Sequence, residues 1–340
     1  MTILITGGAG YIGSHCCISF IEAGHEIVVL DNLSNSNPEA LNRVSKIAAQ
    51  NVQFAKADIR DEAAVEAILN KHKCTAVIHF AGLKAVGEST TDPLSYYDNN
   101  VVGSLRLLNA MKNSGVHELI FSSSATVYGD PQELPLKEDH SLAPVNPYGR
   151  TKLMVEEILR DLAASDPKWK VGILRYFNPV GAHSSGLIGE DPLGIPNNLM
   201  PFIAQVAAGR REQLNIFGND YETRDGTGVR DYIHVLDLVE GHLRAYEALN
   251  KLEASDNCLT VNLGTGTGYS VLEMVQAFER ASNRKIAYEY APRREGDVAE
   301  CYANTDLASK VLNWTAEKDL HQMCRDSWNW VFKNPTGYSS

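Results

Sequence analysis

The sequence predicts an α/β protein: a doubly wound, mostly parallel sheet joined to a smaller C-terminal α/β lobe. Three observations carry this. Short β-like runs alternate with helical patterns through the first half, as a parallel sheet covered on both faces requires. A glycine-rich turn, Gly7-Gly8-Ala9-Gly10-Tyr11-Ile12-Gly13, stands between the first such run and the first helical one. At 340 residues the chain is long for one core and fits two closely joined lobes.

The elements follow in order. The first strand is expected at Thr2–Thr6 and the first helix at Gly13–Glu22. Glu26–Leu30, Val52–Lys56, Ala76–Phe80 and Glu118–Ser122 read as further strands. Helical patterns lie between them at Glu62–Asn70 and Asn100–Asn113. A helix from about Tyr148 to Leu162 leads into a strand, Lys170–Tyr176, which closes a first domain over residues 1–177. Asn178–Pro201 breaks the rhythm with glycines and prolines and reads as a binding loop before a helix near Leu199–Ala208. Residues 178–340 form the expected second domain, whose amphipathic segment His234–Leu249 should pack back on the first. Gly264-Thr265-Gly266-Thr267-Gly268 lacks the spacing of the first glycine turn. With Ser270 as N-cap of Val271–Arg280, it reads as a structural turn.

Composition removes several partners. A net charge of -11 argues against a nucleic-acid groove or an anionic membrane surface. The six cysteines have no CxxC spacing and the ten histidines no HxH or HExxH spacing, so no metal is expected and the thiols read as free. His79, at a strand end, reads as a hydrogen-bonded core histidine. With no basic leader and no apolar run long enough to span a bilayer, a cytoplasmic protein is expected.

Glycines 7, 10 and 13 give the spacing at which a chain turns tightly, approaches a pyrophosphate with its backbone, and packs a helix against a strand. The helix N-terminus then presents free N–H groups to the phosphates. Asp31 follows the second strand, where a carboxylate binds ribose hydroxyls. It would repel a 2′-phosphate, and no Arg adjoins it, so a Rossmann-type site for NAD rather than NADP is predicted. Asp58, after the third strand, is placed either at the adenine edge or at a helix N-terminus.

Tyr148 and Lys152 lie four residues apart on a predicted helix and so share a face. A phenol titrating near pH 10 is a poor base at neutral pH; a nearby ammonium and an oxidised nicotinamide both favour its phenolate. Upstream, Ser122-Ser123-Ser124-Ala125-Thr126-Val127-Tyr128-Gly129 ends a strand beside the predicted cofactor crevice.

The glycine turn, the serine-bearing strand end and the Tyr–Lys pair, in this order, resemble the extended short-chain dehydrogenase/reductase family. His79-Phe80-Ala81-Gly82-Leu83-Lys84-Ala85-Val86-Gly87-Glu88-Ser89, Arg175-Tyr176-Phe177-Asn178-Pro179-Val180-Gly181-Ala182 and Asn197-Asn198-Leu199-Met200-Pro201 narrow the resemblance to the UDP-glucose 4-epimerase family. Asp225-Gly226-Thr227-Gly228-Val229-Arg230-Asp231-Tyr232 and Arg294-Glu295-Gly296-Asp297 extend it over nearly the whole chain.

That resemblance implies a cofactor site of Gly7, Gly10, Tyr11, Ile12, Gly13, Asp31, Asn32, Asn35, Ser36, Asp58, Ile59, Phe80, Ala81, Gly82, Lys84, Asn99, Ser122, Tyr148, Lys152 and Phe177. It implies a nucleotide-sugar site of Ser124, Tyr148, Asn178, Asn198, Leu199, Asn215, Phe217, Arg230, Arg294, Asp297 and Cys301. The implied catalytic residues are Tyr148, Ser124 and Lys152. The implied reaction takes hydride from C4 of a UDP-hexose to tightly held NAD and returns it to the opposite face of a transient 4-keto sugar. A homodimer is also implied.

Two rival readings are weaker. A nucleotide-sugar 4,6-dehydratase of this family carries Asp-Glu after the strand-end hydroxyl, where this chain has Ala125-Thr126. A non-catalytic NAD-binding sensor would typically have lost the tyrosine or the lysine. At the position where epimerases restricted to unsubstituted hexoses have tyrosine, this chain has Cys301: either the smaller thiol leaves room for an N-acetyl group, which adds UDP-GalNAc/UDP-GlcNAc as substrates, or water or Tyr302 fills the space; the first is the favoured expectation.

Overall fold

The computed structural model describes residues 1–194, 196–252, 256–294 and 296–339. Glu295, in the Arg294–Asp297 run, and position 195 of the predicted binding loop lie outside the described residues. The first six strands are β1 (Thr2–Thr6), β2 (Glu26–Asp31), β3 (Gln53–Lys56), β4 (Cys74–His79), β5 (Glu118–Ser124) and β6 (Lys170–Tyr176). The next are β7 (Asn178–Val180), β8 (Leu214–Phe217), β9 (Val229–His234) and β10 (Cys258–Leu263). A seven-stranded sheet runs β10-β6-β5-β4-β1-β2-β3, with every pairing parallel. This is the Rossmann-type doubly wound sheet. Its order reverses between β1 and β4, and a crevice opens there at the strands' C-terminal ends.

The central strands have apolar residues on both faces, because helices cover both: Ile3, Leu4 and Ile5 of β1 are all fully buried. One core layer holds Ile3, Ile5, Cys16, Phe20 and Leu243; the other holds Leu4, Val28, Leu107 and Val155. The helices that bear on the site are α1 (Tyr11–Glu22), α2 (Glu62–His72), α3 (Gly103–Asn113), α4 (Pro147–Ser165), α5 (Leu199–Ala207) and α6 (Val235–Leu249). Among the described residues no helix is long and apolar enough to cross a membrane.

Several expectations shift. The helix expected at Asn100–Asn113 is preceded by a π-helical turn, Tyr97–Val102, and is α-helical only from Gly103. The Asn178–Pro201 stretch is not all loop: Asn178–Val180 pairs in parallel with β9. The sheet's seventh strand, β10, comes from beyond position 177 and pairs with β6, so α6 and β10 together return the chain to the first lobe. α6 packs against α1. Ser270 caps the helix Val271–Ser282 with a full capping box. The glycine turn before it donates its Thr265 and Gly266 N–H groups to buried Asp231, a structural use as expected.

Candidate active site

The site begins at the glycine turn. Gly10 enters α1 in extended geometry with no side-chain cap, so the helix leaves the first-turn N–H groups of Tyr11, Ile12 and Gly13 without intrahelical partners. The turn is too tight for side chains. A Cβ on Gly13 would meet Gly7 O at 2.3 Å, and one on Gly7, at φ +69°, would meet Ala81 N at 2.7 Å. Phe80 and Ala81 therefore lie against the turn. Buried Asp31 ties the turn to the end of β2: one oxygen accepts from Ala9 N at 3.1 Å, the other from Leu33 N and from Ser36 Oγ at 2.8 Å.

Asn32 Nδ2 donates to Asp58 at 3.0 Å, which brings these predicted residues together. Arg60 beside Asp58 holds that carboxyl well below the usual range. Asp61, not Asp58, caps α2, so the helix-terminal alternative for Asp58 does not hold. Tyr11 donates its phenol to Gly181 O at 2.7 Å, so its side chain braces the turn. Ile59 is buried against Gly103. Asn35 is exposed, and Asn99 donates to Asn100 Oδ1. Free first-turn N–H groups, glycine clearances and a fixed carboxylate fit a dinucleotide.

The reactive set is assembled by α4. Asn146 caps this helix by accepting from Gly149 N at 2.8 Å, and Pro147 opens it. A Cβ on Gly149 would meet Thr126 O at 2.8 Å, so glycine lets the helix start press on the end of β5. The Ser124 side chain thereby acts on the Tyr148 phenol, lowering its pKa, and its Oγ accepts from Thr126 Oγ1 at 3.0 Å. Lys152, one turn on, is buried; its Nζ donates to Ser122 O at 2.7 Å and sits 4.9 Å over the Phe121 ring. Burial lowers the Lys152 ammonium to about 8, while Glu156 acts in the opposite sense.

One expectation is corrected here. The ammonium and an oxidised nicotinamide together are expected to lower the Tyr148 pKa; among the protein's own groups the ammonium does not do so, since burial raises the pKa and only the Ser124 side chain opposes. The physical reason is direction: Nζ is 5.9 Å from the Tyr148 ring centroid and is bonded to the Ser122 carbonyl. His79 is the hydrogen-bonded core histidine anticipated, held by Thr6 Oγ1 and Ser104 Oγ.

The opposite wall comes from β7–β9 and the strand Glu300–Cys301. Cys301 pairs in register with Arg230 and packs, half-buried, against the cluster of Val127, Tyr128 and Phe177. Arg230 Nη1 donates to Val229 O at 2.9 Å. Arg294 bonds Asp297 at 2.9 Å and stacks 4.7 Å over the Phe217 ring, two residues from Asn215 on β8. Lys84 and Asn198 meet on one atom, Glu190 Oε1, at 3.2 and 2.9 Å. Leu199 opens α5, and Asn178 stands exposed on β7. Gly82 lies beside Lys152 Nζ and Asn100.

Sequence reasoning missed Asn100, Asn146, Glu156 and Glu190. Asn146-Pro147 ahead of a helix was a readable cap signal. Asn100, which links Leu83 to Thr151, and Glu190 act over long separations and left no local trace.

A sheet that reverses order beside a glycine turn, with a serine–tyrosine–lysine set at the same strand ends, defines the extended short-chain dehydrogenase/reductase class. Residues 4–327 match the family model described as GDP-mannose 4,6 dehydratase. The chain is 57% identical over 340 residues to a Bacillus subtilis UDP-glucose 4-epimerase, covering 100% of this chain and 99% of the relative. Among solved structures, the Bifidobacterium longum UDP-glucose 4-epimerase in complex with NAD+ and UDP superposes with a TM-score of 0.95 at 50% identity, covering 99% of this chain and 100% of that one. The Stenotrophomonas maltophila enzyme with bound NAD and formylated UDP-arabinopyranose gives 0.95 at 49%, covering 98% and 99%. The chain belongs to the UDP-glucose 4-epimerase family.

Proposed function

We propose that this chain interconverts UDP-galactose and UDP-glucose by NAD-dependent epimerisation at C4, acts also on UDP-GalNAc and UDP-GlcNAc, and works as a homodimer. The carrying observation is that Ser124, Tyr148 and Lys152 gather at the end of β5, with Gly82 beside Lys152 Nζ and its neighbour Ala81 against Gly7 of the glycine turn. Gly7, Gly10 and Gly13, with the α1 N-terminus, hold the pyrophosphate of NAD, and Asp31 holds its ribose. Bound NAD supplies reversible hydride acceptance at the sugar carbon.

The remaining work falls to this chain's own groups. Tyr148, as phenolate, takes the proton of the C4 hydroxyl, with Ser124 bridging the two oxygens. Lys152 keeps positive charge on that side of the crevice. Arg230 and Arg294 suit the UDP diphosphate, since a guanidinium presents paired N–H donors to phosphate oxygens. A fixed diphosphate leaves the 4-keto sugar free to turn over. Ala125-Thr126 supply no acid–base pair for loss of water, so the dehydratase reading is not favoured. The N-acetyl reading rests on the Cys301 thiol beside Phe177, where a phenol would fill the wall.

The test is chromatographic. Purified protein is incubated separately with the four UDP-sugars, without added NAD. Epimers of all four are expected. No epimer from any, even with NAD supplied, overturns the reading; epimers of the unsubstituted pair alone remove the N-acetyl part.

A further inference from the structure

Four residues on one face of α4, each four positions from the last, continue past the reactive pair: Tyr148, Lys152, Glu156 and Arg160. Glu156 is completely buried. Its Oε1 accepts from Ser123 Oγ and from Arg175 Nε at 3.0 Å, and its Oε2 accepts from Arg175 Nη2 and Arg160 Nη2, both at 2.7 Å. Arg175 sits on β6 directly opposite Ser123 and is itself 1% exposed. It also bonds Tyr128 Oη at 3.0 Å and stacks 4.9 Å from that ring.

A buried ion pair of this kind is weak evidence for stability, because desolvation offsets most of its attraction. Its placement says more. Ser123 lies between Ser122, whose carbonyl accepts from the Lys152 ammonium, and Ser124, whose side chain acts on the Tyr148 phenol. We propose that Glu156, clamped by Arg175, is a positioning residue that keeps Lys152 charged against Ser122 and fixes the strand end carrying Ser124.

The surroundings of Lys152 leave this work to Glu156. From α4 itself it faces Tyr148 and Glu156; from β5, the Ser122 carbonyl and the Phe121 ring. From β4 it faces His79, which burial pushes to about 3 and so leaves uncharged at neutral pH. Gly82 and the Asn100 amide close another side. The β6 phenol of Tyr176, near Ser122 and Tyr148, is kept neutral by burial. Glu156 is the anion that offsets burial of the ammonium.

The inference rests on the epimerase reading only for its kinetic arm. The first measurement follows the Lys152 Nζ resonance of ¹⁵N-lysine-labelled protein through a pH titration, with no sugar present. Glu156→Gln keeps hydrogen-bonding atoms and removes the charge. Glu156→Gln with Arg175→Gln avoids stranding a buried guanidinium. Glu156→Gln should lower the Lys152 midpoint by roughly one pH unit, and the double variant, which removes the Arg175 cation with the anion, should lower it by less. In Glu156→Gln the alkaline limb of kcat should move down by the same interval, kcat at pH 7 should fall roughly twofold as half of Lys152 loses its proton, and KM should change less than twofold. Arg160 is partly exposed, so Arg160→Gln folds and should move the midpoint upward. A midpoint that stays in place in the folded Glu156 variants, or in Arg160→Gln if those do not fold, overturns the proposal. Failure of the wild type to turn over any UDP-sugar would instead strike the functional reading and leave the titration standing.

Discussion

At the residue scale, Lys152 connects chemistry to stability. Burial lowers its ammonium from 10.5 to about 8. Between about 8 and 10.5 the unfolded chain therefore binds more protons than the folded one, so this group's contribution to stability rises with pH across that window. Below it, the buried charge is a cost the fold carries for catalysis. Lys152→Met should accordingly abolish turnover yet raise unfolding stability at pH 7 by about 1–3 kcal/mol. The difference from wild type should narrow as pH rises from 8 to 10.5. Urea unfolding at three pH values checks it; a variant less stable at pH 7 than at pH 10, relative to wild type, would contradict the sign. Tyr148→Phe is expected to lower kcat by roughly a factor of 10²–10⁴ with the dinucleotide still bound, since it removes the proton acceptor and little packing. Cys301→Tyr should eliminate turnover of the N-acetylated UDP-sugars and spare the unsubstituted pair. It places a phenol against Phe177 and Val127, and a competition assay with mixed substrates reads the split.

At the element scale, α1 and α4 set the site by how closely their first turns approach the sheet. Gly13→Ala would drive a Cβ to 2.3 Å from Gly7 O, a backbone atom that has no room to retreat. Loss of bound dinucleotide, measured by absorbance after gel filtration, is the expected outcome. Both helix starts were legible because their signals are local: glycine spacing for α1, and a Tyr-x-x-x-Lys face for α4. The Asn146 cap and Gly149 contact complete the second start and needed only the Asn-Pro pair to be read. What escaped was whatever depends on pairing across the chain. β10 joins β6 from more than eighty residues away, and nothing in Cys258–Leu263 says which sheet it enters. Nothing local marks Glu156 as buried; its partner Arg175 comes from β6, opposite Ser123. The direction of Lys152 was hidden for the same reason: helical spacing puts it beside Tyr148, but only the β5 carbonyl decides where the ammonium points.

At the scale of the whole molecule, the crevice lies on one side of the first lobe, and exposed apolar residues mark another. Leu94 is 79% exposed, and Val102, Leu105 and Met154, at the π-turn, on α3 and on α4, are each about 40% exposed. Scattered apolar residues need no explanation; the proposed homodimer would take these into its contact. Such helices can pair with the same helices of a second copy about a two-fold axis, which makes the patch self-complementary. That arrangement would also brace α4 from behind, on the helix that carries Tyr148 and Lys152. Replacing Leu105 and Met154 together by Lys puts four charges into the two-fold contact and none into the crevice. Sedimentation velocity at micromolar concentration should show a dimer for the wild type and a monomer for this variant, with far-UV circular dichroism unchanged. If α4 depends on the contact, the monomer should also turn over UDP-hexose more slowly. A wild-type monomer at these concentrations would remove the dimer from the proposed function and leave the chemistry of the crevice as it stands.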